Sequence, residues 1–145
     1  MMDDNWDEVT IMALKAATTC INLPVKQVEQ SMAFFAGLGY EFDFTDKEKA
    51  ARFMIGDNML ALLLADDYFK LITHKEPVDT DHHAQMTIAL AFDSRDTVDE
   101  LVNKAVSLGG KALGRPEDYG FMYQWAFQDL DGHIWAISHM NSNAI

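Results

Sequence analysis

Phe127-Gln128-Asp129-Leu130-Asp131-Gly132-His133-Ile134-Trp135-Ala136 is the stretch whose reading decides the fold. Asp131-Gly132 is a tight-turn pair, because glycine accepts the positive φ that hairpin turns require. A strand pattern, Gly120 to Phe127, leads in, and another, Ile134 to Met140, leads out. The stretch is therefore the closing hairpin of a sheet, and what precedes it shows which sheet.

Working back, Met86 to Phe92 reads as a strand and Thr97 to Leu108 as a helix, with Val98, Leu101, Val102, Ala105 and Leu108 along one face. Ser94 or Asp96 can cap its start and Gly109-Gly110 ends it. Lys111 to Leu113 adds a strand before the closing hairpin. The same order of elements occurs earlier. Ile21, Leu23 and Val25 alternate with Cys20, Asn22 and Pro24, and then Val28, Met32, Phe35 and Leu38 recur at helical steps up to Gly39. Tyr40–Phe44, Ala51–Ile55 and Met59–Leu64 follow as strands, the last two joined across Gly56-Asp57-Asn58. The expectation is an α+β fold of two β-α-β-β-β modules, residues 17–66 and 85–141, within a domain spanning 17–145. A polar connector, 67–84, lies between them. Neither module buries its sheet face alone, and two sharing a core do. Residues 1–16 form an N-terminal extension in which Trp6, Val9, Met12 and Ala13 fall at helical spacing; a packed helix and a frayed tail are both open readings.

The doubled unit carries two strings, Asn22-Leu23-Pro24-Val25-Lys26-Gln27-Val28-Glu29-Gln30-Ser31-Met32-Ala33-Phe34-Phe35 and Asp129-Leu130-Asp131-Gly132-His133-Ile134-Trp135. In that order it resembles the glyoxalase / bleomycin-resistance / extradiol-dioxygenase (vicinal oxygen chelate) superfamily, over about residues 17–141. The resemblance implies curved mixed sheets forming a concave cavity, with helices on the convex side. It also implies a metal ligand from each of four strands. Residue by residue those positions are Cys20, Ala61, Thr87 and Ala136. Relatives with metal chemistry usually carry a glutamate four residues after the turn glycine, where this chain has Ala136.

Strand parity gives a matching register. Cys20, Asn22 and Pro24 face the cavity if Ile21, Leu23 and Val25 face the helix. Leu60, Leu62 and Leu64 are expected toward the helix, leaving Ala61 and Leu63 in the cavity. Thr87, Ala89 and Ala91 on one strand, and Ile134, Ala136 and Ser138 on another, complete it. A divalent ion wants several imidazole or carboxylate donors near ~2 Å. One thiol, one hydroxyl and two methyl groups do not supply them, so no metal is expected at the usual place.

Other chemistry is sparse. His83 with Glu117 is a candidate displaced site, set against a solvated connector. His133 is read as a structural partner of its turn, His139 as a surface or interface residue, and His74 as part of the polar connector. Cys20 as a nucleophile needs a neighbouring cation or base, which the pattern does not provide. The run from Pro116 to Trp125 places Tyr119, Tyr123 and Trp125 in or near the expected cavity wall, with Glu117 and Asp118 beside them; core and dimer packing is the competing reading.

Composition bounds the rest. A net charge of −12 argues against nucleic-acid and anionic-membrane partners. The apolar run Met59–Ala65 is too short to span a bilayer, and the acidic start is unlike a signal peptide. A lone cysteine excludes an intrachain disulfide, and a cytoplasmic location is expected. Three functions compete: a metal-free binding or sequestration protein for a small molecule, a metal-dependent lyase or dioxygenase with a displaced site, and a dimer whose cavity is vestigial. A homodimer is expected in each, because curved sheets with open edges attract cover.

Overall fold

A computed structural model describes residues 13–141. The expected helical stripe Trp6, Val9, Met12 lies outside the described residues. The first sheet is built from β1 (Thr19–Val25), β2 (Phe42–Asp46), β3 (Ala50–Gly56) and β4 (Met59–Ala65), with α1 (Val28–Leu38) after its first strand. A short α2 (Asp66–Thr73) begins the connector. The second sheet uses β5 (Thr87–Ala91), β6 (Lys111–Asp118), β7 (Met122–Gln128) and β8 (Ile134–Met140), with α3 (Arg95–Ser107) after β5. Strand orders are β1-β4-β3-β2 and β5-β8-β7-β6. In each sheet the first strand pairs parallel with the last, and the other neighbours are antiparallel. The fold is therefore α+β with two like modules. Ser94 caps α3 by accepting from the Thr97 amide. Among the described residues no helix is long and apolar enough to cross a membrane.

One face of each sheet is buried by helices. Leu23, Val25, Phe34, Phe35, Phe53, Leu63, Val98, Val102, Phe127, Trp135 and Ile137 form a single core that runs through both modules. Phe35 of α1 stacks on Phe53 at 4.8 Å and meets Trp135 of the second sheet at 5.2 Å. Aromatic pairs of this kind add roughly 0.5–1.5 kcal/mol each beyond the area they bury. Burial, rather than helix propensity, thus fixes where α1 lies.

The register corrects one expectation. Parallel partners share a face, and Ile21 pairs with Ala61 and Leu23 with Leu63. Ala61 and Leu63 therefore point into the helix-covered core, where both are fully buried. Leu60, Leu62 and Leu64 take the other face, beside Cys20, Asn22 and Pro24. Every position from Met59 to Ala65 is apolar, so alternation along β4 carried no information about sides. Ala61 is small because Phe53 stands directly across from it on β3.

The closing hairpin does more than turn. Asp129 Oδ1 accepts from the Asp131 and His133 amides, and Oδ2 accepts from Trp135 Nε1 at 3.0 Å. Asp131 reaches across to the first module, where Oδ1 accepts from the Lys26 amide at 2.8 Å and Oδ2 from Ser31 Oγ at 2.9 Å. α1 has no side-chain cap of its own, so Asp131 places a carboxylate at the helix N-terminus from a hundred residues away. His133 Nε2 donates to the Pro24 carbonyl at 2.7 Å, and Thr80 Oγ1 donates to the Asp131 carbonyl. Gly132, at φ +83°, is required here twice over, since a Cβ would also stand 2.5 Å from Thr80 Oγ1.

Two stability outcomes follow. Asp131→Ala removes both acceptors at the α1 terminus, leaves the buried Ser31 hydroxyl unpaired, and should cost about 2 kcal/mol in urea unfolding. Asp129→Ala strands three donors and should cost about 3 kcal/mol. Midpoints unchanged from the parent protein would remove the inter-module role given to this turn.

Candidate functional site

The faces turned away from the core carry the candidate surfaces. On the first sheet this face presents Cys20, Asn22 and Pro24 from β1, Leu60, Leu62 and Leu64 from β4, and Arg52 and Met54 from β3. On the second it presents Thr87, Ala89, Ala91, Ile134, Ala136 and Ser138. Gln124 and Ala126 of β7 join that surface. Of the expected cavity residues, Cys20, Asn22, Thr87, Ala136 and Ser138 lie on these open faces, while Ala61 does not.

Tyr123 and Trp125 are likewise elsewhere. Trp125 pairs with the fully buried Ile137, so β7 turns both aromatics toward the helix side. Tyr123 Oη donates to Asp99 Oδ1 of α3 at 2.6 Å, and the Arg95 guanidinium sits 4.3 Å above its ring. Asp99 holds the Tyr123 phenol above its usual pKa, because the phenol donates to a carboxylate. Trp125 Nε1 donates to the Gly114 carbonyl. Tyr119 stands at the tip of the β6–β7 hairpin, half-exposed, with its ring 6.3 Å from that of Phe121. Aromatic residues suit either face of a strand, and only pairing with Ile137 settles which one.

The residues at the family's metal positions do not fit a metal ion. Ala61 is in the core, Ala136 has no donor, and Thr87 offers only a hydroxyl on the other sheet from Cys20. Among the described residues no three His, Cys, Asp or Glu side chains are grouped to hold one. His83 and Glu117 are not brought together either: Glu117 lies on β6, the strand farthest from β5 in its sheet. His139 Nδ1 bonds the Phe92 carbonyl and is half-buried rather than a free surface group.

The open face of the first sheet forms a trough of about 380 Å³. α2 packs against β1 and β4, and its Tyr68 and Ile72 wall the trough with Leu60, Leu62 and Leu64. The polar connector thus begins with a helix, for which Tyr68, Leu71 and Ile72 have the spacing. Arg52 lines the same trough and grips Asp43 through Nε at 2.9 Å and Nη2 at 3.3 Å. That partner holds the Asp43 carboxyl below the usual range. Cys20 is also here; burial pushes its thiol above the ordinary value, and Arg52 only partly opposes this. A thiol shifted in this direction lacks the lowered pKa of a reactive nucleophile.

A second cavity, of about 340 Å³, lies along the seam between the modules. Its walls are Pro24 of β1, Ile134 of β8, Phe69 of α2, and Pro77, Val78, Ala84 and Met86 of the connector. Asn22, His83 and Gln85 bring polar side chains to it, and Lys75 and Glu76 bring one charge of each sign. Its parts are distant in sequence, so no local motif signals it.

The rate of Cys20 alkylation by iodoacetamide should rise with pH to a midpoint above 9.0, the ordinary thiol value. Arg52→Gln should move that midpoint higher still, since the guanidinium favours the thiolate. A midpoint near neutrality would restore Cys20 as a nucleophile candidate.

The family model described as Glyoxalase/Bleomycin resistance protein/Dioxygenase superfamily matches residues 17–137. No curated protein matches. Among solved structures, hypothetical protein SA1046 from S. aureus is similar at 24% identity and a TM-score of 0.76, covering 90% of this chain and 98% of that one. A glyoxalase/bleomycin resistance protein/dioxygenase family enzyme from Burkholderia phytofirmans PsJN is 15% identical with a TM-score of 0.73, covering 87% of this chain and 100% of that one. A mutant of the fosfomycin resistance protein FosX from Listeria monocytogenes, complexed with Mn(II) and 1S,2S-dihydroxypropylphosphonic acid, is 18% identical with a TM-score of 0.66, covering 92% of this chain and 95% of that one. At these identities the structures speak for the fold, and with the family model they make the chain a member of the glyoxalase/bleomycin resistance/dioxygenase superfamily.

Proposed function

We propose that the chain is a metal-free binding or sequestration protein for a small molecule. The observation that carries this reading is the seam cavity, whose apolar walls with polar side chains set among them have the composition of ligand pockets. Its volume, about 340 Å³, lies in the range such pockets occupy. The chemistry of the residues at the metal positions supports the metal-free part: one thiol, one threonine hydroxyl and two alanines fall short of the donor set a divalent ion needs. The superfamily's metal-dependent lyase or dioxygenase chemistry has no comparable support among these residues.

A homodimer is part of the proposal. The open faces leave Phe44 and Met54 half-exposed on one sheet, and a row of small residues, Ala89, Ala126 and Ala136, on the other. β2 and β6 are open edges. A second copy would cover faces that a single chain leaves to water. The proposed partners are a small molecule and a second copy; the net charge of −12 supports leaving out nucleic acid and anionic membrane, and the lone Cys20 suits a proposed cytoplasmic setting.

Protein incubated with zinc, nickel or iron(II) and then desalted should retain well under one equivalent by elemental analysis. Ala136→Glu should not create tight binding, since one carboxylate leaves the donor set incomplete. Stoichiometric metal in the parent protein would replace the binding reading with an enzymatic one. Light scattering at micromolar concentration should give twice the 16.4 kDa chain mass; a monomer would remove the dimer.

A further inference from the structure

We infer that the seam cavity takes an amphipathic organic amine: an aromatic or alicyclic body in the cavity and an ammonium head outside it. This rests on the binding reading and goes on to specify the ligand's class. The cavity does not open to neutral surroundings. A second concavity, of about 480 Å³, adjoins it, and the two share Pro24, Glu76, Pro77, Val78, Thr80 and His133 as walls, while Lys75 lines only the seam cavity. This vestibule is lined by Asp66, Asp67, Glu76, Asp79 and Asp131 against only Lys26 and Lys70.

The carboxylates are not equally free. Lys70 pairs with Glu76, Asp79 with His82, and Asp131 is occupied by the Lys26 amide and Ser31. Asp66 and Asp67, in the first turn of α2, make no side-chain hydrogen bond or ion pair among the described residues, although the charge of Asp67 also reaches Lys70. They stand on the same helix as Phe69, which walls the seam cavity. One helix therefore offers an apolar contact to the ligand body and unpaired negative charge to its head. A carboxylate head would meet the same surplus as repulsion. The net charge of −12 acts in the same direction at longer range.

The test uses three probes that share one ring system and differ in head group: naphthylmethylamine, naphthylmethanol and naphthylacetate, titrated calorimetrically into the full chain at neutral pH. The amine should bind tightest and the acetate weakest, with a gap of about five- to tenfold at low salt that closes in concentrated NaCl. Asp66→Asn with Asp67→Asn should narrow that gap and leave naphthylmethanol binding unchanged. Ala84→Trp, in the exposed connector, should fill the cavity and abolish binding of all three, while Leu62→Trp, in the trough of the first sheet, should leave binding intact. Circular dichroism confirms that each variant folds. Equal binding of amine and acetate would overturn the ligand class and leave the binding function standing. Loss in Leu62→Trp but not in Ala84→Trp would overturn the location. No binding of any probe would overturn both this inference and the function it rests on.

Discussion

The carboxylate of Asp131 on the first turn of α1 is the contact on which the arrangement of the modules depends. Each module has a helix-covered face, and the shared aromatic core that joins them sets their approach. Packing such as Phe35 against Trp135, 5.2 Å apart, is less directional than a hydrogen bond. Hydrogen bonds from the Lys26 amide and Ser31 Oγ to one carboxylate do not tolerate sliding. Asp129 holds that carboxylate in place by tying the turn to itself and to the indole of Trp135. Burial raises the pKa of Asp129, and His133 and the three N–H donors oppose the rise. The group is thus taken out of water for structural reasons, and what it secures is an orientation.

That geometry also builds the seam. The turn that carries Asp131 brings Gly132, His133 and Ile134 alongside β1, and the connector closes over the gap through Thr80. The cavity is therefore a product of inter-module docking rather than of either sheet. The four strand positions at which the resemblance implies metal ligands and the place where this chain has enclosed space are different parts of the same fold. A lack of metal donors at one says nothing against a ligand site at the other.

Where two kinds of signal agreed, the sequence was legible. β1 alternates strictly, α1 follows with a clean helical stripe, and Asp131-Gly132 fixes the last hairpin; all three lie where the pattern put them. β4 failed because an unbroken apolar run has no parity. Tyr123 and Trp125 failed because an aromatic ring is at home on either face, and the partner that decided the matter, Ile137, is on another strand. α2 carried a signal that was outweighed by the aspartates around it. The seam cavity had none, since its walls come from residues 22–24, 69–86 and 132–134, and contact among them is a property of topology.

Topology also sets an order of events on the growing chain. In each sheet the first strand pairs with the last, so neither sheet is whole until its fourth strand exists. The first helix, made early, lacks its terminal acceptor until residue 131 has been synthesised and has found it, 105 residues from Lys26. Closing so long a loop costs entropy before any contact rewards it. The first module therefore leaves the ribosome with an uncapped helix and an uncovered aromatic face, and it waits for its sequence-distant twin to finish it.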